Sequence, residues 1–145
     1  AFLSQSHGKN TFFHGHTYTG NQLVCSVALE NINLFKKKHL IGHIQKTSQT
    51  LKQRLEALQP HKNIGDIRGR GLMYGVELVE NKSTQTPLDI PTVELIIRRC
   101  KENGLMIRNL ENVITFVPIL SMSNKEIKKM VKIFNKALHQ TLGKK

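Results

Sequence analysis

The chain has no tryptophan, two tyrosines, two cysteines and four prolines in 145 residues. The cysteines, Cys25 and Cys100, lack metal-type spacing and sit inside apolar periodic segments. That suits reduced thiols in a cytosolic protein better than a secreted disulfide scaffold, and a core of this length needs no covalent staples. No run of about eighteen apolar residues occurs, which excludes a membrane-spanning helix. Acidic residues are scarce too: 10 Asp plus Glu against 22 Lys plus Arg, a formal charge of +12. Such a field attracts anionic surfaces without specifying one. The bases are scattered over the polar sides of amphipathic patterns, without interleaved aromatics and without an RNA-binding or zinc-finger signature. Nucleic acid is not expected as a partner. The chain opens with Ala1 and shows no signal-peptide pattern, so a cytoplasmic protein is expected, and a piece of something longer.

What is present is a change of period along the chain. Residues 1–20 are rich in Ser, Gly, His and aromatics and read as a loop or short extended arm. From Asn21 the pattern is helical: Leu23, Val27 and Leu34 share a face that Val24, Ala28, Ile32 and Phe35 widen. An arc so broad predicts burial on more than one side in the first turns. A second helix carries Ile44, Ser48, Leu51, Leu55 and Leu58 and stops at Pro60. Arg68-Gly69-Arg70-Gly71 reads as a tight turn or bulge before an alternating strand at 72–79. Residues 80–91 read as a polar loop. A helix with Val93, Ile96, Ile97 and Cys100 inward ends at Gly104. Short strands are expected at 105–108 and 113–117, joined by a turn at 109–112. Ser123 and Glu126 form a capping-box signal for a last helix with Ile127, Met130, Val131, Phe134 and Leu138 inward. The fold class is α+β: a small module behind an arm and first helix whose bulky residues have little strand nearby to pack on.

Chemistry concentrates in His14-Gly15-His16-Thr17-Tyr18-Thr19-Gly20-Asn21. Free N–H groups at a helix start beside Thr hydroxyls suit a phosphate, but a Gly/Thr turn that merely caps a helix fits equally well. His14 and His16 lack the third and fourth ligands of a metal site, and none is expected. Arg108 offers a fork for a carboxylate, although an exposed strand-end arginine is the plainer reading. Neither cysteine has a nearby histidine, and no nucleophile elbow occurs.

Taken in order, these stretches resemble the class III aminotransferases dependent on pyridoxal phosphate. The resemblance rests on 12–23 with Cys25-Ser26-Val27-Ala28-Leu29-Glu30-Asn31, on Gly65-Asp66-Ile67-Arg68-Gly69-Arg70-Gly71-Leu72-Met73 with Gly75-Val76-Glu77-Leu78, on Gly104-Leu105-Met106-Ile107-Arg108, and on Ile114-Thr115-Phe116-Val117-Pro118. It implies the C-terminal small domain of the aspartate aminotransferase-like fold at 41–145, preceded by a remnant of the large domain at 1–40. It implies that His16 and Thr17 contact the cofactor phosphate across a homodimer interface, that Gly15 approaches the substrate, and that Arg108 holds the substrate carboxylate. The H-G-H-T-Y-T-G-N-Q-L and A-L-E-N stretches are most similar to members that aminate 8-amino-7-oxononanoate in biotin synthesis. Members acting on ornithine, acetylornithine or 4-aminobutyrate share the scaffold, and a non-catalytic basic binding module is the alternative from another class. The lysine that holds the cofactor, the Asp on its ring nitrogen and the Gly-rich phosphate loop are implied upstream of this chain, and Lys9 lacks the family's surroundings. No catalytic residue is therefore expected here, and the chain alone is expected to be inactive. The family's Arg-Pro-Leu-Gly is Arg108-Asn109-Leu110-Glu111 in this sequence, so Glu111 is a competitor for the guanidinium.

Overall fold

A computed structural model describes Gly15 and residues 17–143. The chain divides into two compact units, with the break between Lys38 and His39.

In the first unit a turn at 17–20 leads into α1, Gln22–Lys37. Asn21 caps it, its side-chain oxygen accepting the Val24 N–H at 3.1 Å, and Lys36 and Lys37 complement the negative helix end. The breadth of the apolar arc predicts burial, but α1 has no buried residue. Leu23 is 75% exposed, Val27 63% and Ile32 52%. A pattern of side chains records what a helix is suited to pack on, whether or not that partner is present.

The second unit runs α2 (Leu40–Glu56), β1 (Ile64–Arg70), β2 (Met73–Asn81), β3 (Thr86–Pro87), α3 (Ile90–Glu102), β4 (Arg108–Leu110), β5 (Val113–Phe116) and α4 (Asn124–Leu142). The strands form an antiparallel sheet in the order β1-β2-β5-β4, with β3 paired to β2. Alternation sends Tyr74, Val76 and Leu78 of β2 and Ile114 and Phe116 of β5 to one face, where all are buried. Against them pack Leu51 and Leu55 of α2, Val93, Ile96 and Cys100 of α3, and Ile127, Val131, Phe134 and Leu138 of α4. Phe116 meets Phe134 edge to face at 5.2 Å. All three helices lie on this one side of the sheet.

Three local expectations are corrected. Arg68, Gly69 and Arg70 belong to β1 rather than to a turn; the turn falls at Gly71, with φ +61°. Gly69 is in the strand because a Cβ there would lie 2.6 Å from the Tyr74 ring and 2.2 Å from the Met73 carbonyl oxygen. The stretch 80–91 is not all loop, since β2 extends to Asn81, Thr86 and Pro87 pair with β2, and α3 already starts at Ile90 behind the Asp89 cap. Finally, β4 begins at Arg108 rather than ending there.

The capping box is present in full: Ser123 accepts the Glu126 N–H, and Glu126 accepts from the Ser123 backbone and hydroxyl. These bonds hold the Glu126 carboxyl below its ordinary value of 4.5, and Thr92 does the same for Asp89, ordinarily 3.8. A carboxyl lowered on folding contributes stability above its unfolded value and loses it as pH falls through the folded one. Acid titration of the Tm should therefore fall less steeply below about pH 4 in an Asp89→Asn/Glu126→Gln double variant. An unchanged slope would show that the caps carry none of the acid sensitivity.

Burial pushes the Cys100 thiol up to about 11, whereas Cys25 is exposed. Since the thiolate is the nucleophile, a maleimide at pH 8 is expected to label Cys25 alone in buffer and both thiols in urea. Rapid labelling of both in buffer would contradict the packing of α3.

Candidate functional site

The face of the sheet away from the helices is built by the residues that alternate with the core. Register sets Arg68 opposite Gly75, Gly75 opposite Thr115, and Thr115 opposite Arg108, so these four form one row across β1, β2, β5 and β4. A neighbouring row holds Asp66, Glu77, Val113 and Leu110. Together with Arg70, Met73 and Val117, most of these line an open groove of about 770 Å³. Its floor is apolar and its edges are cationic. Met73 and Val117 are each 65% exposed, which is unusual for side chains so well suited to burial. Gly75 leaves a trough mid-row, where a Cβ would approach Val113 Cγ1 to 3.0 Å.

The arginines on this face are not equivalent. Arg68 donates to Asp66 at 2.9 Å and to Glu77, bonds that raise its pKa above the ordinary arginine value. Its charge is thereby more than offset by the two carboxylates. Arg70 and Arg108 have no ion pair among the described residues. Glu111, the competitor expected from the sequence, does not engage Arg108. It occupies the turn between β4 and β5 with φ +52°, a left-handed position better suited to glycine. Thr115 steadies the arginine through the backbone, its hydroxyl donating to the Arg108 carbonyl at 3.0 Å. Arg108 thus presents a planar two-pronged donor above an apolar trough, an arrangement matched to a carboxylate on an aliphatic chain.

In the first unit Gly15 and Thr17 are exposed. His16 lies outside the described residues, as do His14 and Lys9. Asn21 closes the turn, its N–H donating to the Tyr18 carbonyl at 3.1 Å. Its side chain occupies the Val24 amide, while the amides of Gln22 and Leu23 have no carbonyl one turn back within the helix. No acidic residue lies in the first turn of α1. A threonine hydroxyl, two helix-start amides and no carboxylate are a donor set compatible with a phosphate dianion. Among the described residues no His/Cys/Asp/Glu cluster could hold a metal ion, and no helix is long and apolar enough to cross a membrane.

The sequence singled out Arg108 but not the companions that give it meaning. Arg70 was hidden by the reading of 68–71 as a turn, whereas Met73, Gly75 and Thr115 were read on strands whose register with Arg108 only the fold supplies. The every-second-residue spacing of Asp66, Arg68 and Arg70 is the signal that would have placed them on one face of a strand.

The family model described as aminotransferase class-III matches residues 2–138. Over all 145 residues the chain is 69% identical to adenosylmethionine-8-amino-7-oxononanoate aminotransferase of Staphylococcus aureus, covering 32% of that protein. The crystal structure of the enzyme of that name from Methanocaldococcus jannaschii superposes with a TM-score of 0.83 at 36% identity, over 97% of this chain and 32% of that one. A thermostable omega transaminase from Pseudomonas jessenii gives the same TM-score at 29% identity, over 92% and 31%. The chain spans about a third of the length of the relatives it matches. The α+β fold is accordingly that of part of a transaminase.

Proposed function

This chain belongs to the class III aminotransferases, which depend on pyridoxal phosphate, and from that premise we propose that it forms the small domain and the cofactor-phosphate turn of an enzyme that aminates 8-amino-7-oxononanoate. The unit from His39 onward is the small domain, and the unit before it is the edge of the large one. Arg108 is the observation that carries the reading. It is a guanidinium without an ion pair among the described residues, at the rim of an apolar trough, in a chain that is 69% identical to an enzyme named for this substrate. The substrate is an aliphatic acid, and its carboxylate needs a fixed cation while its chain needs an apolar floor.

The division of labour follows from the donors. Thr17 and the start of α1 hold the cofactor phosphate, with His16 beside them, and Gly15 lets the backbone approach the substrate. In the family the phosphate contact is made across a homodimer interface, and the exposed apolar face of α1 supports its being covered in an assembly. The cofactor supplies an electron sink for the carbanion of transamination. The residues of this chain bind and orient: Arg108 fixes one end of the substrate, and the apolar trough gives its chain a wall to lie against. The lysine that moves the proton is placed outside this chain, so no catalytic residue is assigned within it. Cytoplasmic location accords with this role.

The reading is tested by a graft in which this chain replaces the matching stretch of the Staphylococcus aureus relative. The graft is expected to aminate 8-amino-7-oxononanoate at a rate within about tenfold of the parent, equivalent to about 1.4 kcal/mol in the barrier. A folded, cofactor-loaded graft that acts on ornithine or 4-aminobutyrate and leaves this substrate untouched would overturn it.

A further inference from the structure

The groove has a second cation for which the proposed reaction gives no role. Arg70 stands two residues from Arg68 on the same face of β1, lines the same groove and is exposed. Arg68 is held by Asp66 and Glu77, yet Arg70 has no acidic partner among the described residues. Arg70 pairs with Met73 at one edge of the sheet, and Arg108 pairs with Thr115 at the other. Three strand spacings separate those edges, about 14 Å. Both arginines line the groove between those edges. Between them lie Met73, Gly75, Thr115 and Val117, and no carboxylate lines the groove among the described residues. Asp66 and Glu77 sit in an adjacent row and are already engaged with Arg68.

We propose that Arg70 is a second anion anchor, so that this groove takes an elongated aliphatic ligand with an acidic group at each end, one on Arg108 and the other on Arg70. The Asp66–Arg68–Glu77 cluster takes the cation nearest Arg70 out of play, two carboxylates more than offsetting one guanidinium, so that Arg70 and Arg108 are the guanidinium groups of the groove without an ion pair among the described residues. The proposal rests on the reading of Arg108 as a carboxylate anchor; 8-amino-7-oxononanoate has an acid at one end only, so a diacid competes with it for Arg108 and is not itself aminated. An exposed arginine–carboxylate contact is modest in water, so the effect is a preference rather than an absolute requirement.

Calorimetric titration of the full chain with nonanoate and with nonanedioate, at low ionic strength, tests this. Nonanedioate is expected to bind about fivefold more tightly, and added salt should narrow the difference. In Arg70→Gln the preference should disappear while nonanoate binding stays unchanged. In Arg108→Gln the binding of both ligands should weaken. Equal affinities in the unmodified chain, a preference that survives Arg70→Gln, or no nonanedioate binding at millimolar concentration would each overturn the proposal. Nonanoate binding that is indifferent to Arg108→Gln would instead overturn the reading on which it rests.

Discussion

Arg108→Gln in the grafted enzyme is expected to raise the KM for 8-amino-7-oxononanoate by about 10- to 100-fold, with cofactor absorbance unchanged. A hydrogen bond to a charged partner contributes about 1.5–3 kcal/mol, and a forked guanidinium makes two in parallel. The glutamine keeps one donor and loses the charge. Arg108→Lys should recover only part of the loss, because a point charge lacks the planar match. The arginine is exposed at the rim of the sheet and is not part of the core, so the melting temperature should be nearly that of the unmodified graft. Steady-state kinetics with the keto substrate varied at saturating donor supply the measurement. An unchanged KM would mean that the carboxylate is held elsewhere.

Phe134→Ala should destabilise the second unit by about 3–5 kcal/mol, a large fraction of the 5–15 kcal/mol typical of a whole domain. Phe134 is fully buried where α4 crosses Phe116 of the sheet, and the two rings touch edge to face. Truncation leaves a ring-sized cavity between two layers and strands the Phe116 edge. Thermal melting of the chain is expected to drop by at least about 12 °C, taking about 4 °C per kcal/mol for a unit of this size. Met73→Ala, on the open face of the same sheet, should change stability by only about 0.5 kcal/mol. The contrast separates the two faces, since one is the core and the other is available to a ligand. Comparable losses at the two positions would contradict that division.

Those two faces were unequally legible in the sequence. Helices were easy where apolar periodicity and a cap agreed, as in α4 with its Ser123–Glu126 box and five inward residues, all buried. The β2 strand was legible because Tyr74, Val76 and Leu78 alternate with residues of another kind. The β1 strand was not. Its core-facing positions after Ile64 are Ile67 and Gly69, and the glycine has no side chain because the Tyr74 ring fills its place. A strand whose inward residue is supplied by its neighbour carries no apolar alternation of its own, and Arg-Gly-Arg-Gly then mimics a turn. Missing β1 hid Arg70 and one edge of the groove. At α1 the opposite happened: the pattern promised burial that its own unit does not provide. For the site, Arg108 and Thr17 stood out through resemblance to a family, whereas the pairing of Arg68 with Asp66 and Glu77 needed the fold.

The most direct test is the distance from Thr17 Oγ1 to the cofactor phosphate in a crystal of the grafted enzyme loaded with pyridoxal phosphate. A separation in the hydrogen-bonding range, about 2.5–3.0 Å, is the result predicted here. A phosphate bound entirely by other segments, with Thr17 turned to solvent, would contradict the assignment of this chain's first unit.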